Sequence, residues 1–336
     1  MGSIHLSRDS LIESLAEVVG FKSGLLLTEG DLIELLHGSG FFGTILDPNG
    51  PGGGRIRSEE YEDALVLILY KLGRTTSPHN ILFIAEMYHK YKGDPATLEL
   101  YMAMGNLYNM SMKQAMREAL TRPPEGRSID PTNFMTEASR RHGRAGLDMA
   151  MEMITGVNRD LNRSAWGQLR SIEWKDELEL ADLFKSENLA TSHGSFLDQR
   201  FIDYLDRNFE RISDIHWRKF EGLAGEFFDR EGYRVDMGPG RNDDGIDLRI
   251  YPKVESLTAP PLIIVQCKRV KAKIDKALVK SVYADVLHEN AKSGLIVTTS
   301  YLSPGAAHMR TARGYQVEAA DRTTLREWIN QMKTAG

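Results

Sequence analysis

Leu262-Ile263-Ile264-Val265-Gln266-Cys267-Lys268 is a short, β-branched run that follows Pro260-Pro261, and it reads as a buried strand. Side chains alternate across a strand, so Gln266 and Lys268 share one face while Val265 and Cys267 share the other. Upstream, Ile246-Asp247-Leu248-Arg249-Ile250-Tyr251 alternates as well, with Asp247, Arg249 and Tyr251 opposed to the aliphatics. Polar groups two apart at the end of an apolar strand are costly to bury unless they serve something. Taken alone, an acid followed by a polar-x-Lys pattern is most simply a loop aspartate paired with a strand-end lysine. The neighbouring segments argue for more.

Trp217 to Phe228 is an amphipathic helix with Phe220, Leu223, Ala224 and Phe227 or Phe228 on one stripe. A strand follows in Glu231-Gly232-Tyr233-Arg234-Val235, entered through a glycine that ends the helix. After the two strands around Asp247 and Lys268, residues 275–291 form a helix and Gly294 to Thr299 a buried strand. Ser303-Pro304 opens another helix, Tyr315 to Glu318 is a last short strand, and Asp321 caps a terminal helix that contains Trp328. The order αβββαβαβα predicts a mixed sheet with helices on both faces.

These residues have a chemistry in common. Asp247 can supply a charged oxygen ligand to a hard divalent cation, and Gln266 a neutral carbonyl. Glu221, on the helix that opens the region, is the candidate for the further carboxylate such a site needs. Lys268 can orient a water or stabilise charge that develops on phosphate oxygens. A cation held in this way lowers the pKa of a bound water and screens a phosphodiester against its approach.

Five spaced segments then resemble, in order, the catalytic domain of Mrr-type restriction endonucleases, within the PD-(D/E)XK nuclease superfamily. They are Phe220-Glu221, Glu231 to Val235, Asp244-Gly245-Ile246-Asp247, Val265-Gln266-Cys267-Lys268-Arg269 and Ile296-Val297-Thr298-Thr299. Glutamine stands where the wider superfamily has its second acid, a departure that Mrr-like members share. The resemblance covers about residues 214–334. It implies a restriction-endonuclease-like α/β domain with an αβββαβ core, Glu221, Asp247, Gln266 and Lys268 at the catalytic positions, Mg²⁺ (or Mn²⁺) as metal, and DNA as substrate.

Asn242-Asp243-Asp244-Gly245 is turn chemistry. Asp243 reads as structural, and Asp244 as either a turn residue or an acid behind the metal ligands. Lys268, Arg269, Lys271, Lys273, Lys276 and Lys280 form a basic run, with 273, 276 and 280 expected on one helical face. Such runs are often only solvated surface. Beside a phosphodiesterase site they suit DNA-backbone contacts without base readout, to which Arg241 and Arg249 are candidates to add.

The length of 336 residues suggests two domains, divided here into 1–208 and 209–336. Of the net charge of −5, the residues from Glu210 onward carry +3 and the rest −8, so any DNA-binding tendency lies in the C-terminal part. The single cysteine, Cys267, excludes an intramolecular disulfide and a cysteine zinc site, and reads as a small buried apolar residue. No signal peptide or apolar stretch of transmembrane length is visible, and a cytoplasmic protein is expected.

Residues 4–208 read as an all-α domain, a bundle or short solenoid. Helical spacing runs through 58–73, 79–92, 96–108, 111–121, 132–142, 144–158 and 163–187, with a capping box at Ser10 and with Thr28 and Asp31 ahead of an apolar stretch to Leu36. The glycine-rich Asp47 to Arg55 lacks the Gly-Lys-Ser/Thr of a phosphate cradle and reads as a mobile loop. Arg140, Arg141 and Arg144 read as a solvated helix end, and the many methionines as adaptable packing.

The leading expectation is a metal-dependent DNA endonuclease in restriction or anti-phage defence, with a helical domain for recognition, partner binding or regulation. The second is a DNA-binding or scaffold subunit of a defence complex whose nuclease fold is silent alone. Cutting both DNA strands takes two active sites, so a homodimer or a protein partner is expected.

Overall fold

The computed structural model describes residues 3–121, 129–165, 174, 176–189, 191–240, 245–253 and 259–334. It divides into two compact units, Met1–Pro78 with Ile172–Gly336, and His79–Ser171. This division differs from a single break at 208.

The first unit opens with β1 (Ser3–Ser7), α1 (Arg8–Ser23), β2 (Leu25–Leu26), α2 (Glu29–Leu36), α3 (Phe41–Leu46), β3 (Gly53–Arg57) and α4 (Ser58–Lys71). Leu11, Leu15 and Val19, four apart on α1, are fully buried with Leu32, Leu36, Leu65 and Ile68. A capping box opens α2: the Thr28 N–H donates to Asp31 Oδ2 at 2.8 Å, and the Asp31 N–H to Thr28 Oγ1 at 3.2 Å. Helix α1 starts earlier than expected, because Ser7 rather than Ser10 is its cap and accepts the Ser10 N–H at 3.1 Å. The region is also not purely helical. β1 and β3 pair antiparallel from Ser3↔Arg57 to Ser7↔Gly53, so the end of the glycine-rich segment is strand rather than loop.

The second unit is three helices, α5 (Phe83–Tyr91), α6 (Pro95–Leu120) and α7 (Thr132–Arg163). Two helices expected at 96–108 and 111–121 are one, α6. Helix α7 does break, at Gly143 with φ 61° and ψ −145°, where the sequence reading separates its two helical stretches. Phe83, Met87, Met104, Phe134, Met149 and Met153 form its core. Arg140 and Arg141 pair with Glu137, and Arg144 with Asp148, so all three arginines of that cluster have a carboxylate partner on their own helix.

The first unit resumes with β4 (Leu178–Glu179), α8 (Asp182–Lys185), α9 (Gln199–Arg207), a 3-10 turn over Phe209–Ser213, and α10 (Trp217–Arg230). One continuous helix over 163–187 is not formed: 178–179 is strand paired in parallel with β2, and the described helix in the range after α7 is the short α8. Buried charge joins this segment to the N-terminal helices. Fully buried Arg200 donates to Asp198 Oδ1 at 2.7 Å and to the Gly24 carbonyl at 2.9 Å, and Arg74 pairs with Asp203 at 3.0 Å. Both guanidinium groups lie over Trp174, at 4.8 and 5.1 Å. These long-range contacts have no periodic signature, which is why helical spacing alone places the break differently.

The remaining elements are β5 (Tyr233–Met237), β6 (Leu248–Pro252), β7 (Ile263–Lys268), α11 (Lys276–His288), β8 (Ser293–Thr298), α12 (Pro304–Ala312), β9 (Val317–Ala320) and α13 (Arg322–Met332). They form a mixed sheet in the order β5-β6-β7-β8-β9, antiparallel through β7 and parallel beyond. Phe220, Leu223, Ala224 and Phe228 make the buried stripe of α10, while Phe227 stacks on Trp328 at 4.1 Å. Among the described residues no helix is long and apolar enough to cross a membrane.

Candidate active site

Strand β7 carries Gln266 and Lys268 at its C-terminal end, and Asp247 enters β6 beside it. Pairing of β6 with β7 runs Ile250↔Ile263 to Leu248↔Val265, and the Asp247 N–H donates to the Val265 carbonyl at 2.9 Å. The Asp247 carboxylate then accepts the Cys267 N–H at 2.6 Å, which fixes its orientation where the two strands part. Helix α10 brings Glu221 to the same place: its carboxyl hydrogen-bonds Asp247 and accepts from Arg218 Nη1 at 2.8 Å. Glu221 and Asp247 are 5% and 9% exposed, so the pair is withdrawn from bulk water.

That burial raises the Glu221 carboxyl above the ordinary carboxylate range; Arg218 opposes the shift, and the charge and hydrogen bond of Asp247 reinforce it. Burial, then Asp247 and Glu221, likewise push the Cys267 thiol well up. Cys267 is thus a neutral packing group and not a thiolate.

Gln266 is 8% exposed, and its Oε1 is buried without a hydrogen-bond partner among the described residues. Its Nε2 lies against Gly245, where a Cβ would stand 3.0 Å away. Gln266 follows Val265, the partner of Leu248, so its orphaned carbonyl oxygen sits on the strand next to Asp247; with the two buried carboxyls it offers an all-oxygen donor set, which suits a hard divalent cation. Two of its three members are acids, and no cluster of three or more His, Cys, Asp or Glu that could hold a metal occurs among the described residues. Asp243, Asp244 and Arg241 lie outside the described residues.

Lys268 is partly exposed at the end of β7, and its ammonium makes no hydrogen bond or ion pair among the described residues. Its backbone is held firmly by β8. Thr298 Oγ1 donates to the Lys268 carbonyl at 2.9 Å, Thr299 Oγ1 donates to the Val270 carbonyl at 2.9 Å, and Ser300 Oγ to the Lys271 carbonyl at 3.2 Å. These three residues are buried; Thr298 and Thr299 belong to a segment that carries the resemblance, but no role at the site is read for them or for Ser300 from the sequence. The signal was present, since polar groups ending an apolar strand are the same cue that picked out Gln266 and Lys268.

Lys271, Lys273, Lys276 and Lys280 are exposed and make no ion pair among the described residues. Lys273 is not on the helix with the others. Asp275 caps α11 by accepting the Ala277 and Leu278 N–H groups at 2.9 and 3.0 Å, so the helix begins at Lys276. Arg269 is exposed and donates to the Ser213 carbonyl at 3.2 Å. Arg249 does not join the basic surface: it forms a forked pair with Glu289 at 2.8 and 3.1 Å.

No curated protein matches the chain. Among solved structures, MspJI restriction endonuclease in complex with a 27-mer oligonucleotide is similar over 56% of this chain, at 18% identity and a TM-score of 0.30. The chain spans 40% of the length of that one. The segment that holds Glu221, Asp247, Gln266 and Lys268 is the one a family comparison picks out: residues 212–329 match the family model of the Mrr catalytic domain, described as a restriction endonuclease.

Proposed function

We propose that the chain is a divalent-cation-dependent DNA endonuclease in restriction or anti-phage defence, and that Glu221, Asp247, Gln266 and Lys268 carry the reaction. The observation that carries this reading is the unpartnered, buried Gln266 Oε1 on the strand that pairs with the one Asp247 enters, at the strand end where Lys268 stands unpaired among the described residues. Mg²⁺ is the cation we expect, with Mn²⁺ able to replace it; bound there, it would acidify a water and screen the phosphate.

The chain's own residues divide the remaining work. Asp247, fixed by the Cys267 N–H, and Glu221 present carboxylate oxygens, and Gln266 a carbonyl. Lys268 orients the attacking water or stabilises charge on the phosphate oxygens. Arg269, Lys271, Lys273, Lys276 and Lys280 hold the DNA backbone on the surface that leads away from the site. The helical unit keeps Met102, Met110, Met116 and Met151 exposed, which supports partner binding or regulation through it.

The test is cleavage of plain, methylated and phage-modified duplexes by the full-length protein, with Mg²⁺, with Mn²⁺ and with chelator. Cation-dependent cutting of at least one substrate is the expected result. Binding without cutting under every condition would instead favour a silent scaffold subunit.

A further inference from the structure

Arg218 lies three residues before Glu221 on α10, and its side chain reaches the acid that also bonds Asp247. Its Nη1 donates to Glu221 Oε2 at 2.8 Å, with the two side chains only 16% and 7% exposed. Nε and Nη2 make no hydrogen bond among the described residues. The first turn of the helix is fixed by His216, whose Nδ1 accepts the Arg218 N–H at 3.2 Å. Gly240, with φ 81°, closes over the guanidinium from the β5–β6 connection: a Cβ there would stand 2.9 Å from Arg218 Nη1 and 2.9 Å from the Trp217 ring. Only glycine admits that approach without displacing one of them.

The placement is electrostatically pointed. A guanidinium and a divalent cation would both claim Glu221 Oε2, and each repels the other. A group that served only to neutralise a buried glutamate would not need to stand on the acid that already bonds Asp247. Once displaced, a planar fork next to the cation site matches the geometry of a phosphate, which it can bind through two nitrogens.

We propose that Arg218 is an exchangeable counter-ion. It holds Glu221 beside Asp247 until a divalent cation takes Glu221 Oε2, and the freed guanidinium then binds a phosphate oxygen of the DNA strand. This rests on the nuclease reading above, and makes Arg218 a group that senses the loaded state and engages DNA only then.

The experiment measures Ca²⁺ affinity by calorimetry, and duplex affinity with and without Ca²⁺, for full-length protein and its R218Q, R218K and D247N variants. Thermal melts confirm folding. R218Q is expected to bind Ca²⁺ about fivefold more tightly, since a repelling charge is gone. It should lose about tenfold in duplex affinity with Ca²⁺ present and little without it. R218K keeps the charge but not the fork, so its Ca²⁺ affinity stays near wild type while its Ca²⁺-dependent duplex affinity falls. A role confined to orienting Glu221 gives the opposite sign, weaker Ca²⁺ binding in R218Q. Weaker or unchanged Ca²⁺ binding, or an unchanged duplex affinity with Ca²⁺, overturns the proposal. If R218Q does not fold, an unchanged duplex affinity in R218K overturns it. D247N separates the two levels: equal Ca²⁺ binding by D247N and wild type defeats the site itself and this inference with it. Weakened D247N with no gain in R218Q defeats Arg218 alone.

Discussion

Thr298 shows how one hydroxyl serves the site from beneath. Its Oγ1 donates to the Lys268 carbonyl and accepts the Ser300 N–H, and the residue is fully buried. Thr298→Val keeps the shape and removes the hydroxyl. It should cost about 1 kcal/mol of stability, read from a denaturant melt. Cleavage should fall further than that cost explains, because Lys268 loses its tether, and Thr298→Ser should restore both. Glu221 makes a separate prediction about pH. Its carboxyl is held above the ordinary range, so the cation-free fold keeps a proton that the unfolded chain has already released. Stability should therefore fall as pH rises from the ordinary carboxylate range through the raised value. Saturating Ca²⁺ replaces that proton and should flatten the slope, as should Glu221→Gln. Melting temperature against pH, with and without Ca²⁺, checks both.

At the scale of elements, the C-terminal strands and helices were legible because local and global preferences agree there. β-branched runs, a proline pair before β7, caps at Ser303 and Asp321, and glycine at 232 all mark boundaries that the sheet respects. The basic run was less legible. The cap at Asp275 places Lys276 and Lys280 on α11 and leaves Lys273 before it. Arg249 was unreadable as a pair because Glu289 lies forty residues away at the end of another element. Exposed Lys276 and Lys280, one turn apart, make the remaining stripe. A Lys276→Ala, Lys280→Ala double variant should weaken duplex binding uniformly across sequences, and should reduce the salt slope by about two. Arg249→Ala should leave that slope unchanged. Binding isotherms at several salt concentrations decide between them.

Across the whole molecule, the domain break was the least legible feature. Glu226, 2% exposed, accepts the Ser195 and Phe196 N–H groups at 2.8 Å and the Leu197 N–H at 3.2 Å, so the chain before residue 209 is tied to the helix that bears Glu221. A fragment of residues 209–336 would leave that carboxylate without its backbone donors and uncover α10. It should be less stable by several kcal/mol than the intact unit, since each buried charged group left unsatisfied costs about 1–3 kcal/mol or more. Comparative melts of that fragment and the full chain test this.

The central claim is a division of labour between an acid that holds a cation and a lysine that acts on the reacting phosphate. Asp247→Ala and Lys268→Ala, each assayed for Mn²⁺ binding and for duplex cleavage, test it most directly. Asp247→Ala should lose both cation binding and cutting. Lys268→Ala should bind Mn²⁺ as the wild type does and cut at least about 10²-fold more slowly. Continued Mn²⁺-dependent cleavage by both folded variants would contradict the account.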